Sequence, residues 1–100
     1  MRPIHVAQLD KPRPVLVLTR EGVRPHLRRV TVAPITTTIR GLSSEVPVGA
    51  ANGIEHDSVV SCDNILTVPV STLGRQVGYL LAAQEPQLAQ AVCSAFDLFF

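Results

Sequence analysis

The chain is organised around one stretch, Val32-Ala33-Pro34-Ile35-Thr36-Thr37-Thr38-Ile39-Arg40-Gly41. Its first half consists of apolar and β-branched residues, which favour a buried strand, whereas its second half brings hydroxyls, an arginine and a glycine turn. We therefore predict a strand over residues 29–35 that ends in polar side chains. Because successive side chains of a strand point to opposite faces, Thr36 and Thr38 should share one face and Thr37 should take the other.

A second stretch of strand-forming residues is Arg13-Pro14-Val15-Leu16-Val17-Leu18. Proline lacks the amide donor that a central strand uses, so Pro14 and Pro34 should lie at strand ends or edges. The predicted strand covers residues 15–19, which leaves Arg13 exposed at its start. Both stretches thus place polar side chains at a strand terminus.

Shorter strand patterns, separated by turn-forming glycines, cover residues 4–8, 45–48, 58–62 and 75–80. A short helical turn is predicted over residues 70–73. Short strands with tight connections are typical of antiparallel sheets, so the pattern predicts a mainly β protein.

The C-terminal segment has a different periodicity. Pro86 suits a first helical turn, and apolar side chains recur at helical spacing after it, at Leu88, Val92, Ala95, Phe96 and Phe99. We therefore predict one C-terminal helix. The whole chain, residues 1–100, should form a single domain built as a strongly bent sheet or small SH3-like β-barrel.

Composition places the chain among folded globular proteins. Hydrophobic residues make up 46% and charged residues 17% of the sequence, which excludes a disordered segment. The apolar stretches are far shorter than the roughly 20 residues that span a bilayer. The N-terminus has no apolar core of a signal peptide. We therefore expect a soluble, cytoplasmic protein without membrane contact.

The positive charge of the chain is local. The formal net charge of +1 does not by itself indicate a nucleic-acid-binding protein. Seven of the nine basic residues nevertheless lie between residues 11 and 40. Four residues form a basic run for which RNA contact and a solvated loop face are equally open interpretations, namely Arg24, His26, Arg28 and Arg29.

Neither metal nor disulfide chemistry is indicated by the pattern. His5, His26 and His56 have no ligand spacing, so we expect no metal and no cofactor. Cys62 and Cys93 lack C-x-x-C spacing and are interpreted as reduced, structural side chains.

The order of several motifs resembles the MazF family of toxin endoribonucleases, with mycobacterial members the most similar. That family has an Arg-Pro pair that opens its second strand. It also has a Pro-x-Thr-Thr block near the end of its third strand, followed by a basic residue, a glycine and a Glu-Val strand. Here those motifs read Arg13-Pro14, Pro34-Ile35-Thr36-Thr37, Arg40-Gly41 and Glu45-Val46. The later strands are similar as well, in Val60-Ser61-Cys62-Asp63-Asn64 and Leu73-Gly74-Arg75-Gln76-Val77-Gly78.

The resemblance implies a small β-barrel of the CcdB/MazF type that forms a homodimer and acts as the toxin of a type II toxin-antitoxin system. It implies metal-independent, sequence-specific cleavage of single-stranded RNA, whether messenger, ribosomal or transfer RNA. Attack by the 2′-hydroxyl would leave a 2′,3′-cyclic phosphate and a 5′-hydroxyl, and a cognate MazE-like antitoxin would silence the toxin. By the family's pattern Arg13 and Thr36 are catalytic. RNA contacts are expected from Lys11, Thr37, Thr38 and Arg40.

The chain also departs from that family. Most members carry a longer, glycine-rich loop with a glutamate before the Arg-Pro pair, whereas only Asp10-Lys11-Pro12 precedes Arg13 here. The short loop predicts a more open groove with Lys11 on its rim. Two alternatives stay open: a CcdB-like gyrase poison of the same fold, and a non-catalytic SH3-like interaction module. The absence of tryptophan and the presence of both catalytic-type pairs favour the ribonuclease.

Overall fold

A computed structural model describes residues 1–99. Within these residues the chain forms seven strands and one α-helix, connected by loops and short 3₁₀ turns. The strands are β1 (Pro3–Gln8), β2 (Pro12–Val17), β3 (Arg29–Thr36), β4 (Glu45–Val48), β5 (Ser58–Ser61), β6 (Leu66–Pro69) and β7 (Leu73–Tyr79), and the helix is α1 (Glu85–Ala95). Across the described chain, no helix has the length and apolar character needed to cross a membrane.

All seven strands join one antiparallel sheet. Six of them follow the order β4-β5-β3-β2-β1-β7, and β6 pairs with β3 outside this order. The central strand β3 pairs with β2 on one side. On its other side it pairs with β6 through its N-terminal half and with β5 through its C-terminal end. Strands β4 and β7 form the two edges of this order, so the sheet is an open form of the predicted barrel. The predicted mainly β fold with one C-terminal helix is confirmed.

The two prolines do not lie at strand ends, but each has a strand partner on one side only, as expected for an edge position. Pro34 lies inside the central strand, paired with Val15 of β2. It is tolerated because the other edge of β3 changes partner there: pairing with β6 ends at Val32, and pairing with β5 begins at Ile35. Pro14 also lies inside its strand, because β2 starts at Pro12. It precedes the residues of β2 that are paired on both sides.

One further strand and two element ends differ clearly from the sequence prediction. Strand β6 was not predicted, because a four-residue strand beside a 3₁₀ turn has too few residues to show a clear alternation. Strand β2 ends at Val17 and not at residue 19. The helix ends at Ala95, so Phe96 and Phe99 lie beyond it, and Phe99 is 94% exposed. The predicted helical turn is confirmed as the 3₁₀ turn Val70–Thr72.

Burial on both faces of the sheet follows from the alternation in β2. Leu16 faces the main core, which α1 covers with Leu88 and Ala91. Val15 and Val17 face a second, smaller core formed with the described residues Ala7, Val30, Val32 and Val68. Full burial of each such side chain contributes roughly 1.5–3 kcal/mol, so both faces stabilise the central strands. Strand β2 is therefore held rigidly up to the point where its polar end begins.

The loop between β4 and β5 is anchored against β7 by Asn52 and a pair of glycines. Asn52 is 2% exposed, and its amide donates to the Tyr79 carbonyl over 2.9 Å. Gly53 has a positive φ of 78°, and a Cβ there would meet the Val77 carbonyl oxygen at 2.0 Å. A Cβ at Gly78 would likewise meet the Asn52 carbonyl oxygen at 1.9 Å. This close approach allows the loop to stand beside the end of β3.

Candidate active site

Arg13 and Thr36 are brought together by the pairing of β2 with β3. The register runs from Val17 opposite Val32 to Val15 opposite Pro34. The pairing of the two strands ends there, with Arg13 two residues before Val15 on β2 and Thr36 two residues after Pro34 on β3. The two residues predicted to be catalytic therefore lie at the same end of this strand pair, and both line the same two grooves.

Arg13 is half-buried and not fully exposed as predicted, since its side chain is 35% exposed. Asp10 accounts for its orientation: Arg13 donates from Nε to Oδ1 over 3.1 Å and from Nη2 to Oδ2 over 3.4 Å. The Arg13 hydrogen bond, followed by that from the Lys11 backbone amide, lowers the pKa of the Asp10 carboxyl. A guanidinium has five N–H donors. Two are used here, so within residues 1–99 three remain for an anion.

The Thr36 hydroxyl has a defined orientation because Thr36 ends β3 with a tight turn. Its Oγ1 accepts a hydrogen bond from the Thr38 backbone amide over 3.1 Å. An oxygen that accepts from the backbone keeps its own hydrogen free to donate. Thr36 can therefore donate to the same anion that the Arg13 guanidinium contacts.

Two grooves meet at Arg13 and Thr36. The larger, the Arg40 groove, has a volume of about 740 Å³ and contains Thr38 and Arg40 among its lining residues. The smaller, the Lys11 groove, has a volume of about 360 Å³ and contains Lys11, Thr37 and His56. Arg13 and Thr36 line both grooves. Thr38 lines the Arg40 groove and Thr37 the Lys11 groove, but β3 ends at Thr36 and Thr36 lines both grooves, so the predicted alternation of strand faces does not extend to these residues.

The segment after Thr36 is held over the Arg40 groove by Glu45. Its carboxylate accepts from the backbone amides of Arg40 over 3.2 Å and of Leu42 over 3.1 Å. The Arg40 side chain is exposed, and among residues 1–99 it makes no ion pair. The groove therefore carries a second guanidinium that is available to a phosphate group.

The predicted basic run lies at the opposite end of β3. Arg29 begins this strand and Thr36 ends it, so a rise of about 3.4 Å per residue separates them by roughly 24 Å. Arg24 and His26 belong to a 3₁₀ turn that precedes β3. None of the four residues lines the Arg40 groove or the Lys11 groove.

Several groove residues were missed by the sequence analysis. Asp10 was predicted only as part of a short loop and not as the partner of Arg13. Glu45 was predicted only as a motif residue and not as the acceptor for the Arg40 backbone amide. The far wall of the Arg40 groove, formed by Ser61, Asp63 and Asn64, was not predicted to be functional. The Asp10-x₂-Arg13 spacing was the one local signal of the Asp10–Arg13 ion pair, because a hairpin turn brings residues three apart close together.

Neither cysteine takes part in this arrangement. Cys62 is buried, and desolvation followed by the nearby Asp63 charge raises its pKa to about 11. Cys93 is partly buried, and both thiols are free. Across residues 1–99 no group of three histidine, cysteine, aspartate or glutamate side chains is placed to hold a metal ion.

The fold and the site define a small open β-sheet protein with a polar groove in which two guanidinium groups, those of Arg13 and Arg40, are available to an anionic ligand. Residues 3–96 match the family described as "PemK-like, MazF-like toxin of type II toxin-antitoxin system". The chain is 72% identical over 98 residues to "Endoribonuclease MazF3" of Mycobacterium tuberculosis, covering 98% of this chain and 95% of that protein. It is 40% identical over 87 residues to "Probable endoribonuclease MazF5" of the same organism, covering 86% and 76%. The chain therefore belongs to the PemK/MazF family of type II toxins.

Solved structures agree with this assignment. The fold is similar to "Mycobacterium tuberculosis toxin MazF-mt6" with a TM-score of 0.97 and 71% identity, covering 99% of this chain and all of that one. It is also similar to "Endoribonuclease in complex with its cognate antitoxin from Mycobacterial species", with a TM-score of 0.88 and 23% identity over 98% and 94% of the two chains. At that lower identity the similarity concerns the fold alone.

Proposed function

We propose that this chain is the toxin of a type II toxin-antitoxin system and a sequence-specific endoribonuclease that cleaves single-stranded RNA. The observation that carries this proposal is the placement of Arg13 and Thr36 at the same end of the β2–β3 strand pair, in one groove of a MazF-family chain. The names of its relatives, which are endoribonucleases, support the same activity.

The proposed reaction uses a nucleophile from the substrate. The 2′-hydroxyl of RNA loses its proton and its oxygen bonds to the adjacent phosphorus, while the bond from phosphorus to the 5′-oxygen breaks and that oxygen takes up a proton. The products are a 2′,3′-cyclic phosphate and a 5′-hydroxyl. Negative charge builds on the phosphorane oxygens during this attack. Arg13 stabilises that charge with its free guanidinium donors, and Thr36 adds a hydroxyl donor. Asp10 positions the Arg13 guanidinium through two hydrogen bonds.

RNA contacts extend from this centre into both grooves. We assign Thr38 and Arg40 to the RNA segment in the Arg40 groove, and Lys11 and Thr37 to the segment in the Lys11 groove. The two grooves meet at Arg13 and Thr36, so an extended strand that crosses there would present one phosphate to the catalytic pair. This division suits single-stranded RNA, whose backbone is not confined to a duplex.

The remaining parts of the proposal concern partners and location. We propose one toxin domain over residues 1–100, a homodimer, cleavage without a metal cofactor and action in the cytoplasm, where RNA is available. A cognate MazE-like antitoxin would present an acidic segment to the groove around Lys11, Arg13 and Arg40, because counter-charge there mimics the RNA backbone. A chelator should leave cleavage unchanged, and light scattering should return the mass of a dimer.

Replacement of one 2′-hydroxyl by hydrogen tests the mechanism. The substituted nucleotide lies immediately 5′ of the scissile phosphate in an otherwise unchanged oligonucleotide. Binding should weaken by at most about one hydrogen bond, roughly 0.5–1.5 kcal/mol, whereas cleavage at that position should stop because the nucleophile is gone. A competition assay measures binding and a gel follows scission. Cutting at the substituted position, or products with a 5′-phosphate, would require water as the nucleophile and would reject the mechanism.

A further inference from the structure

Asp63 differs from the other described carboxylates of the Arg40 groove in how its charge is held. Asp10 is paired with the Arg13 guanidinium, and Glu45 accepts from two backbone amides. Within residues 1–99 the Asp63 carboxylate has one hydrogen-bond partner, the hydroxyl of Ser44, which donates to Oδ2 over 2.6 Å. Asp63 thus has neither a guanidinium partner, as Asp10 has, nor two donors, as Glu45 has. Its carboxylate is the one of the three that keeps most of its acceptor capacity for a ligand in the groove.

The negative charge of this carboxylate disfavours a phosphate in contact with it and favours a hydrogen-bond donor. RNA offers donors on its bases, and carboxylates accept from the exocyclic amino groups of bases. Recognition of single-stranded RNA in general takes place on exposed base edges of this kind. The chemistry of Asp63 thus suits a base and not the backbone.

The position of Asp63 agrees with contact to a base. Arg13 belongs to β2 on one side of β3, and Asp63 follows β5 on the other side. Neighbouring strands lie about 4.8 Å apart, so β2 and β5 are separated by roughly 10 Å across β3. Asp63 lies in the turn after β5, which continues from Val60 toward the N-terminal half of β3, so its distance from Arg13 exceeds this spacing. Arg13, Asp63 and Asn64 nevertheless line the same groove, so an RNA strand with its scissile phosphate at Arg13 can bring a nearby base to the far wall.

The far wall is already ordered by hydrogen bonds. Ser44, which holds Asp63 Oδ2, is only 5% exposed, and Oδ1 is left free to accept. The Asn64 amide donates to the Ser61 hydroxyl over 2.8 Å, which leaves its second N–H for another acceptor. The wall thus offers one acceptor beside one donor. Side chains held in this way lose little conformational freedom when a ligand binds.

We propose that Asp63 is a specificity-determining residue that accepts a hydrogen bond from the exocyclic amino group of an RNA base, while Asn64 donates to the ring nitrogen beside it. On their Watson–Crick edges, cytosine and adenine carry this pair, whereas uracil turns a carbonyl oxygen toward the carboxylate. On the same edge, guanine places a ring N–H where Asn64 donates. The inference rests on the proposed ribonuclease function and deepens it.

The test compares base preferences around the cut. An RNA library randomised around the cleavage site is digested by the wild type and by Asp63→Asn, and the 5′-hydroxyl ends are sequenced. The wild type should favour cytosine or adenine over uracil at one position. Asp63→Asn presents an amide donor there and should lower that preference at least about tenfold at that position alone. Asp97→Asn removes the same charge outside both grooves and should keep the wild-type profile.

A second measurement uses only the wild type, so it does not depend on the folding of a variant. The preferred base is replaced by an analogue that lacks the exocyclic amino group, and kcat/KM should fall at least about tenfold. An unchanged kcat/KM, or a base profile that Asp63→Asn leaves unaltered, would overturn the assignment of Asp63. If cleavage still depends on Arg13 in that case, the proposed function stands. If the wild type produces no 5′-hydroxyl ends, the proposed function itself fails.

Discussion

The two ends of β3 both carry positive charge, yet they differ in how that charge is arranged. At the C-terminal end, Arg13 is held by Asp10 beside the Thr36 hydroxyl, where two grooves meet. At the N-terminal end, Arg28 and Arg29 are exposed and line neither groove. The comparison shows that charge density does not define a site. Stabilisation of a developing charge requires donors that are already oriented toward it.

The largest expected effect is that of Arg13→Ala. Removing an oriented donor to the developing charge should lower kcat about a hundredfold to a thousandfold. The exposed ion pair with Asp10 contributes little to stability, so the melting temperature should change little. Single-turnover cleavage measures the effect, and Arg29→Ala is the matched control. An equal loss of kcat in Arg13→Ala and Arg29→Ala would show that the two ends of β3 do not differ in their contribution to catalysis.

Thr36→Val should have the next largest effect. Valine keeps the β-branched shape but removes the hydroxyl, and a hydrogen bond to a charged group contributes about 1.5–3 kcal/mol, or roughly a tenfold to hundredfold change in rate. Thr36→Ser should restore most of the activity because it keeps the donor. A serine variant as slow as the valine variant would mean that Thr36 acts through packing.

Asp10→Asn should have a smaller effect, because Asp10 acts through Arg13. The ion pair is open to solvent and therefore weak, so kcat should fall by no more than about fivefold. Arg13 lowers the Asp10 pKa below its ordinary value of 3.8, so the ion pair is complete above that pH and is lost as the pH falls through the lower value.

The pH profile separates this positioning role from a general loss of structure. In the wild type, part of the activity should be lost as Asp10 is protonated, at a pH below the ordinary carboxyl pKa of 3.8. Asp10→Asn has no carboxylate to protonate, so its activity should not show this fall. Asp57→Asn, an exposed aspartate outside both grooves, serves as the control. Identical acid limbs in the wild type and Asp10→Asn would remove Asp10 from the mechanism.

The smallest effect is expected at the N-terminal end of β3. The double variant Arg28→Ala with Arg29→Ala should change RNA affinity by less than about twofold and leave its salt dependence unaltered, since neither residue lines a groove. Lys11→Ala and Arg40→Ala should each lower the slope of log affinity against log salt by about 0.7. A comparable drop in the double variant would place RNA on the basic run as well.

The sequence alone was sufficient for features that depend on local periodicity and on motif order. Alternating apolar residues predicted most strands, helical spacing predicted α1, and the ordered motifs from Arg13-Pro14 to Glu45-Val46 predicted the family. These features are readable because each is encoded within a few neighbouring residues or in the order of such segments.

Only the tertiary structure decided which residues share a groove. The pairing of β2 with β3 brings Arg13 and Thr36 to the same end of the two strands, and the pairing of β3 with β5 adds the far wall with Asp63. The gap between β5 and β6 also explains why Pro34 is tolerated in a central strand. Each of these strand pairings joins residues that are at least 15 positions apart in the chain. Their proximity depends on strand pairing across the whole sheet, which no local pattern of residues specifies.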